Sequence, residues 1–159
     1  MKQIEINIKI GVCQLEELSD NEQALIKTAI EATKNSYAPY SHFSVGAALL
    51  LENGDMVMGA NQENAAYPSG LCAERSAIFA AQSTHPDQPI KALAIAARNG
   101  GGLMKQPIVP CGSCRQVVLE IEDRYKQPVR ILLYGTETVY VIDTVKDLLP
   151  LQFIGESML

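Results

Sequence analysis

Three cysteines and one glutamate have the residue types and the spacing for metal chemistry: Cys72, Cys111, Cys114 and Glu74. Cys111 and Cys114 form a C-x-x-C pair in the stretch PCGSCRQ, and a turn followed by a first helical turn can direct two such thiolates at one metal ion. Cys72 lies 39 positions earlier, also where a helix is expected to begin. Three protein ligands leave one tetrahedral position open for water, which is typical of catalytic rather than structural zinc.

The glutamate lies in the alanine-rich stretch GLCAERSAIFAA, where a buried carboxylate needs a partner. Residues two apart in a helix body point about 200° apart, so Cys72 and Glu74 would face opposite sides there. In a first turn both can reach a group beyond the helix N-terminus, where backbone N–H groups such as that of Ala73 are unpaired. A glutamate that is free of the metal but beside its bound water is expected to act as a general base and then as a general acid.

The charge of the site predicts a role for two arginines. Three thiolates on Zn²⁺ leave one net negative charge, which makes the bound water less acidic than neutral histidine ligands would. Helix N-termini offset part of this charge. Arg75, next to Glu74, and Arg115, next to Cys114, are expected to donate hydrogen bonds to the thiolates and so tune the metal.

Other interpretations of the cysteines remain open at this point. A C-x-x-C pair alone is also found in thiol-disulfide oxidoreductases, although that chemistry needs neither Cys72 nor Glu74. A structural zinc site would need a fourth ligand, and His42 and His85, in polar loop-like settings, are expected to be surface residues. Cys13 is expected to be a small core residue.

Composition excludes several classes of protein. The 159 residues are 47% hydrophobic and 19% charged, which predicts one compact domain. The net charge of −5 and the absence of a basic run disfavour a nucleic-acid or anionic-membrane partner. No stretch is long enough to span a membrane, and the N-terminus lacks the continuous apolar run of a signal peptide. We therefore expect a cytoplasmic protein with reduced thiols.

Periodicity predicts alternating strands and helices. Isoleucines alternate with polar residues through MKQIEINIKIGV, which predicts a strand, so residues 1–18 are taken as an N-terminal strand extension before a domain at 19–159. Ser19-x-x-Glu22 is a capping box that opens a helix ending near Ser36. Asn53-Gly54 predicts a hairpin turn, and Ser69 is expected to cap the alanine-rich helix. Further strands are predicted in IKALAIAAR, PVRILLYG and TVYVID, with a helix from about 112 to 124, so the architecture is α/β.

The motifs CAERSA and PCGSCRQ resemble those of the zinc-dependent cytidine deaminases, specifically the small homotetrameric type with three cysteine ligands. YAPYSHFSVGAALL and NQENAAYPSGLCAERSA also resemble stretches of this family, in the same order and spacing, and the resemblance covers about residues 20 to 153. It implies a three-layer α/β/α fold around a single mixed five-stranded sheet, here with an extra N-terminal strand. The N-terminal strand and Gln62 depart from the family pattern.

The resemblance also implies roles for individual residues. Asn61 and Glu63 match the N-x-E pair that binds the ribose hydroxyls, and Phe43 matches the aromatic residue that packs on the pyrimidine. Phe153 matches an aromatic residue that a neighbouring subunit contributes, and the Ala73 N–H is placed to orient the base.

The implied reaction is the zinc-dependent hydrolysis of cytidine and 2′-deoxycytidine to uridine and 2′-deoxyuridine with release of ammonia, a step of pyrimidine salvage. The implied assembly is a homotetramer with shared active sites and one zinc ion per chain. The closest competitor is a deaminase of a modified cytosine nucleoside such as blasticidin S on the same fold. A nucleic-acid-editing deaminase is disfavoured by the acidic charge.

Overall fold

A mixed sheet of seven strands forms the middle layer of the structure, a computed structural model that describes residues 1–159. The main path of the sheet runs β1-β7-β6-β4-β2-β3, and β5 pairs with the end of β4. Only the β4–β6 pair is parallel; all the other pairs are antiparallel. The strands are β1 (Gly11–Cys13), β2 (Ser44–Leu51), β3 (Met56–Ala60), β4 (Ile90–Asn99), β5 (Gly102–Leu103), β6 (Arg130–Tyr134) and β7 (Val139–Ile142).

Three α-helices cover the two faces of the sheet: α1 (Asp20–Ala32), α2 (Ala73–Thr84) and α3 (Gly112–Tyr125). Helix α1 packs on one face, where its residues join Ala94 of β4 in a buried cluster. Helices α2 and α3 pack on the other face, in a larger cluster that includes Leu93 and Ile95. Strand β4 is therefore buried on both sides, as its near-continuous apolar sequence predicts. The expected α/β class and its three layers are confirmed. No helix has both the length and the apolar character needed to cross a membrane.

The number of strands differs from the expected five plus an N-terminal strand. The additional strand is β5, a two-residue segment inside the glycine-rich stretch that follows β4, where the sequence predicts no strand. The N-terminal strand is present but short, because only Gly11–Cys13 lie opposite residues of β7 and that strand ends at Ile142. Residues 1–10 have no regular secondary structure.

Two local sequence signals are confirmed. Ser19 and Glu22 form a reciprocal capping box at the start of α1, whose last turn passes into a 3₁₀ turn at Thr33–Asn35. Asn53 and Gly54 lie in the turn between β2 and β3, where Gly54 has a φ of +91° that favours glycine.

The start of α2 lies further along the chain than expected. Ser69 ends a short 3₁₀ turn at Tyr67–Ser69, and the N-cap residue of α2 is Cys72. The reason is a backbone bridge between Gln62 and Leu71, whose two N–H···O hydrogen bonds of 2.9 Å keep the chain extended up to the cysteine. Cys72 and Glu74 are therefore at the very beginning of the helix.

Strand β3 and helix α2 approach each other so closely at Gly59 that no side chain fits. A Cβ atom on Gly59 would lie 2.4 Å from the backbone nitrogen of Ala77. We expect Gly59→Ala to lower the free energy of unfolding by about 1–3 kcal/mol, because α2 or β3 must move. Thermal unfolding measures this, with Gly100→Ala as the control, since its Cβ would meet nothing within 4 Å. Equal stability of the two variants would contradict the close approach.

Candidate active site and metal centre

The three predicted ligand cysteines meet at the N-termini of two helices. We call these three residues the metal cluster, because together they could hold one metal ion. Cys72 and Cys111 are the N-cap residues of α2 and α3, and Cys114 is the third residue of α3. The Sγ atoms of Cys72 and Cys111 are 3.8 Å apart, those of Cys111 and Cys114 are 3.5 Å apart, and all three lie within 4.8 Å of one another. A tetrahedral zinc ion with Zn–S bonds of about 2.3 Å requires sulfur separations of about 3.8 Å, so the cluster fits one ion.

The protonation of the cluster favours metal binding. A hydrogen bond with Cys114 and one from Arg75 lower the pKa of Cys72 to about 5, against the opposing effect of burial. The pKa of Cys114 is raised by the same hydrogen bond and by its burial. Cys72 is thus the thiol of the three that ionises most readily, and a metal ion requires its cysteine ligands as thiolates.

Arg75 forms the hydrogen bond that its position predicts. Its Nη2 donates to Cys72 Sγ over 3.3 Å, and the thiolates raise the pKa of its guanidinium. The side chain thus places a fixed positive charge against a site with excess negative charge.

Arg115 does not form the expected hydrogen bond with a thiolate. Its Nε donates to the backbone oxygen of Pro110 over 2.8 Å, and its Nη1 donates to the backbone oxygen of Leu148 over 3.0 Å. The residue preceding Cys111 is thereby tied to the 3₁₀ turn at Val145–Leu148. This arginine holds the backbone around the metal cluster instead of the sulfur atoms themselves.

Glu74 is buried beside the cluster. It is the second residue of α2, it is only 5% exposed, and burial raises the pKa of its carboxyl group. It lines a cavity of about 180 Å³ together with two of the cysteines, so a molecule in this cavity meets both the carboxyl group and the metal cluster. The cavity is lined by Val45, Asn61, Cys72, Ala73, Glu74, Ile108, Val109 and Cys111.

A larger, more open cleft of about 500 Å³ lies next to this cavity and shares Asn61 and Cys72 with it. Glu63 lines the cleft, and its carboxylate accepts hydrogen bonds from the Ser41 hydroxyl and from the backbone N–H groups of Tyr40 and Ser41. The bond from the Ser41 hydroxyl contributes most to lowering the pKa of Glu63. The cleft therefore presents a carboxylate that is held in place as a hydrogen-bond acceptor.

Asn61 lies where the cavity and the cleft meet, and its amide is held firmly. Its Oδ1 accepts from Ser36 Oγ over 2.6 Å and from the Val45 N–H over 2.8 Å, while its Nδ2 donates to the Phe43 oxygen over 2.9 Å. One of the two amide N–H bonds remains available to a ligand. Asn61 and Glu63 thus place an amide and a carboxylate along the lining of the same cleft.

These arrangements agree with comparisons against known proteins. The sequence model of the family described as "Cytidine and deoxycytidylate deaminase zinc-binding region" matches residues 19–127. This chain belongs to that family. It is 41% identical over 138 residues to a cytidine deaminase of Halalkalibacterium halodurans, a match that covers 87% of this chain and 98% of the relative. It is 46% identical over 98 residues to a cytidine deaminase of Sporosarcina psychrophila, over 62% of this chain and 68% of the relative.

Solved structures give the same result. The crystal structure of cytidine deaminase from Burkholderia pseudomallei has a TM-score of 0.71 and 39% identity, and the match covers 82% of this chain and 97% of that one. The cytidine deaminase of Mycobacterium tuberculosis has a TM-score of 0.66 and 32% identity, over 86% of this chain and 99% of that one. The deaminase family is a zinc-binding one, and the cluster of three cysteines is the group of residues that could hold the ion.

Of the remaining predicted site residues, one lines the small cavity and two line neither the cavity nor the cleft. Ala73 lines the small cavity, whereas Phe43 is half-buried at the entry to β2 and is absent from the lining of both the cavity and the cleft. Phe153 is 59% exposed and also lines neither of them, and its backbone oxygen accepts a hydrogen bond from Gln116 Nε2 over 2.8 Å. His42 and His85 take no part in the metal cluster.

Several lining residues were not singled out from the sequence, among them two pairs of neighbouring residues. Ile108 and Val109 form part of the small cavity, and Tyr40 and Tyr67 meet edge to face, with ring centroids 5.9 Å apart, along the larger cleft. The signal for the first pair was their position directly before Pro110 and the C-x-x-C motif. The two tyrosines lie inside the stretches that resemble the family.

The role of Arg115 leads to a prediction about metal retention. Arg115→Gln removes a clamp on the backbone before Cys111, and groups that orient metal ligands commonly change metal affinity by about 10–100-fold. We expect the variant to lose zinc to a competing chelator faster than the unaltered protein. The matched control is Arg124→Gln on the last turn of the same helix, since Arg124 donates to Gln82 and Pro86, away from the metal. Equal rates of zinc loss would show that the clamp does not support the site.

Proposed function

We propose that this protein is a zinc-dependent hydrolase that converts cytidine and 2′-deoxycytidine to uridine and 2′-deoxyuridine with release of ammonia. The observation that carries the proposal is the buried carboxyl group of Glu74 in one cavity with the three-cysteine cluster. Relatives that match nearly their whole length to this chain are cytidine deaminases, which supports the same substrate class. The reaction fits pyrimidine salvage in the cytoplasm.

Cys72, Cys111 and Cys114 would hold the zinc ion, which when bound polarises a water molecule and lowers its pKa. Glu74 accepts a proton from the attacking water and donates one to N3 of the cytosine ring as C4 becomes tetrahedral. Glu74 then takes the proton of the new C4 hydroxyl group and delivers it to the exocyclic amine, so that ammonia leaves as the C4 carbonyl forms. Burial suits this carboxyl group to both roles, because a raised pKa brings it nearer to neutral pH.

The division into a small cavity and a larger cleft suits a nucleoside. The base would enter the cavity beside Glu74, where the Ala73 backbone N–H would orient it; Phe43 lines neither the cavity nor the cleft, so this placement gives it no contact with the base. The sugar would lie in the cleft, where the free N–H of Asn61 and the fixed carboxylate of Glu63 bind its hydroxyl groups. A free base would leave both of these polar groups without a partner, at a cost in affinity.

A substrate screen tests the proposed reaction. Ammonia release is followed with cytidine, 2′-deoxycytidine, CMP, cytosine, adenosine and blasticidin S on the zinc-loaded protein. We expect turnover of the two nucleosides and little turnover of free cytosine, which lacks the sugar. A clear preference for blasticidin S would replace the proposed substrate with a modified nucleoside, and no deamination of any compound would reject the function.

We also propose a homotetramer in which each active site is completed by Phe153 of a neighbouring subunit. The side chains of Leu151 and Phe153 are 85% and 59% exposed at the end of the chain, and Phe79 is 49% exposed on α2. Apolar groups exposed in this way commonly mark contacts between proteins. Phe153 lines no part of the site of its own chain, which leaves it available to another subunit.

Complementation tests the shared site. Glu74→Ala chains carry an intact Phe153, and Phe153→Ala chains carry an intact Glu74 but should bind substrate poorly. In mixed assemblies some sites receive both groups from different chains, so we expect more activity at low substrate concentration than the sum of the parents. The control replaces the first parent by the double variant Glu74→Ala/Phe153→Ala, which can supply neither group and should give no gain. Activity equal to the sum in confirmed mixed assemblies would show that each site is self-contained.

A further inference from the structure

The ten residues before β1 contain a repeated pattern that the deaminase site does not use. In the N-terminal arm, defined as residues 2–10, every residue is exposed and none belongs to a helix or strand. From position 4 to position 10 isoleucines fill the even positions and polar groups fill the odd ones; the isoleucines are Ile4, Ile6, Ile8 and Ile10. Between 43% and 87% of each isoleucine is exposed. The family match begins at residue 19, so the arm lies outside it.

The arm is the continuation of an edge strand that has no further partner in its own chain. Strand β1 pairs with β7 from Gly11, opposite Val141, to Cys13, opposite Val139. Strand β7 ends at Ile142, so most of the arm extends past its end. The other side of β1 is free, because β1 is the last strand of the sheet. β-Branched residues in alternation have a strong preference for strands, and a free strand edge is a template for pairing with another chain.

The apolar face of the arm is also uncovered. Val12 lies opposite Tyr140, whose side chain packs against the core cluster under α2 and α3, whereas Cys13 packs against the cluster under α1. Even-numbered residues of this strand therefore point to the α2 and α3 side of the sheet. Val12 is 67% exposed there, so no helix of its own chain covers the face that the isoleucines would continue.

We propose that the arms of two copies of this chain pair as antiparallel β-strands around a two-fold axis at Asn7. In this register the numbers of two residues that face each other, one from each copy, add up to 14. Glu5 then faces Lys9 of the second copy, and Lys9 faces Glu5 of the second copy, which gives two pairs of opposite charge on one face. On the other face Ile6 meets Ile8, and Ile4 meets Ile10. Each pair forms twice, as a two-fold interface requires.

Other registers lose this complementarity. A shift by two positions places Glu5 opposite Asn7 or Gly11, and both charge pairs are broken. A shift by one position places isoleucines opposite polar residues and turns half of the apolar groups to the wrong face. The occupant of the free edge is therefore a second copy of the same arm, joined to a sheet that continues from one chain into the next.

Cross-linking of zinc-loaded protein tests the two-fold axis. A cysteine at position 7 would face the same cysteine of the second copy, and Cα atoms opposite each other in antiparallel strands are about 4.5–5.5 Å apart, within the range of a disulfide. We expect Asn7→Cys to form a covalent dimer rapidly under mild oxidation. The matched control is Gln3→Cys, also exposed and on the same face, which would meet Gly11 of the second copy and should cross-link slowly. The unaltered protein measures any contribution of the native cysteines.

Charge exchange tests the register in the Asn7→Cys background. Glu5→Lys places like charges opposite each other at two positions, and so does Lys9→Glu; we expect each to slow dimer formation by about tenfold. The double variant restores opposite charges and should restore the rate. Deaminase activity confirms that each variant remains folded, because the arm contributes nothing to the core. Equal cross-linking of Asn7→Cys and Gln3→Cys, or no recovery in the double variant, would overturn the proposal. Either result would mean that the arm does not pair with a second arm in this register, for example because it docks on another sheet edge.

Discussion

Glu74→Gln should keep its zinc and still bind nucleoside, but its kcat should fall by about 10²–10⁴-fold or more. This range is the usual contribution of one general acid–base group. The amide has nearly the same shape as the carboxyl group but cannot accept or deliver a proton. A larger loss is expected here, because we assign several proton transfers to the same side chain. Zinc per chain, nucleoside affinity and kcat are measured on the same preparation, so that loss of metal is not mistaken for loss of the proton carrier.

A second buried glutamate provides the control for this experiment. Glu122 is 4% exposed, and its carboxylate accepts hydrogen bonds from the N–H groups of Val129 and Val145 and from the hydroxyl of Thr144. Glu122→Gln should lower stability, since an amide cannot accept at every position that a carboxylate can. It should leave kcat nearly unchanged. If Glu74→Gln retained near-normal kcat, the proposed role of Glu74 would be wrong.

Cys111→Ala should abolish zinc binding and reduce deamination to background. The substitution removes one of three ligands from the cluster, while the exposed position of Cys111 means that it opens no cavity in the core. We therefore expect a folded, metal-free and inactive protein. Metal analysis after dialysis and circular dichroism test the two parts of this expectation separately.

Cys13→Ala is the matched control for the loss of a thiol, because Cys13 lies in β1, outside the metal cluster. This variant should retain one zinc ion per chain and full activity. An active, metal-free Cys111→Ala protein would refute the zinc mechanism. Full zinc occupancy in Cys111→Ala would refute the proposed ligand set alone.

Short-range signals predicted several local features of the fold. The capping box at Ser19 and the Asn53-Gly54 turn depend on neighbouring residues only, and both are present in the structure. The convergence of Cys72 with the C-x-x-C pair was also predictable, because a three-ligand metal site demands it. Such features follow from local geometry or from the chemistry of a shared ligand.

Features that depend on distant partners were not predictable in this way. The N-cap at Cys72 follows from the bridge between Gln62 and Leu71, and no local rule favours a cysteine over Ser69 at a helix start. The target of Arg115 is a backbone oxygen at Leu148, 33 positions away, which only the folded chain brings near. The strand expected over the N-terminal arm is short because its length is set by β7 and not by its own periodicity.

The distribution of the cysteines along the chain has a consequence for the order of events during folding. Cys111 and Cys114 are three positions apart, so an unfolded chain can chelate a metal ion with both at little cost in chain entropy. Cys72 can join them only when α2 has packed on β3 and the intervening strand β4 has entered the sheet. The third thiolate is thus a long-range contact, and capture of zinc by the complete set reports that the face of the sheet covered by α2 and α3 has assembled. Metal that arrives early would be held weakly by two ligands and locked in place by the closing of the fold.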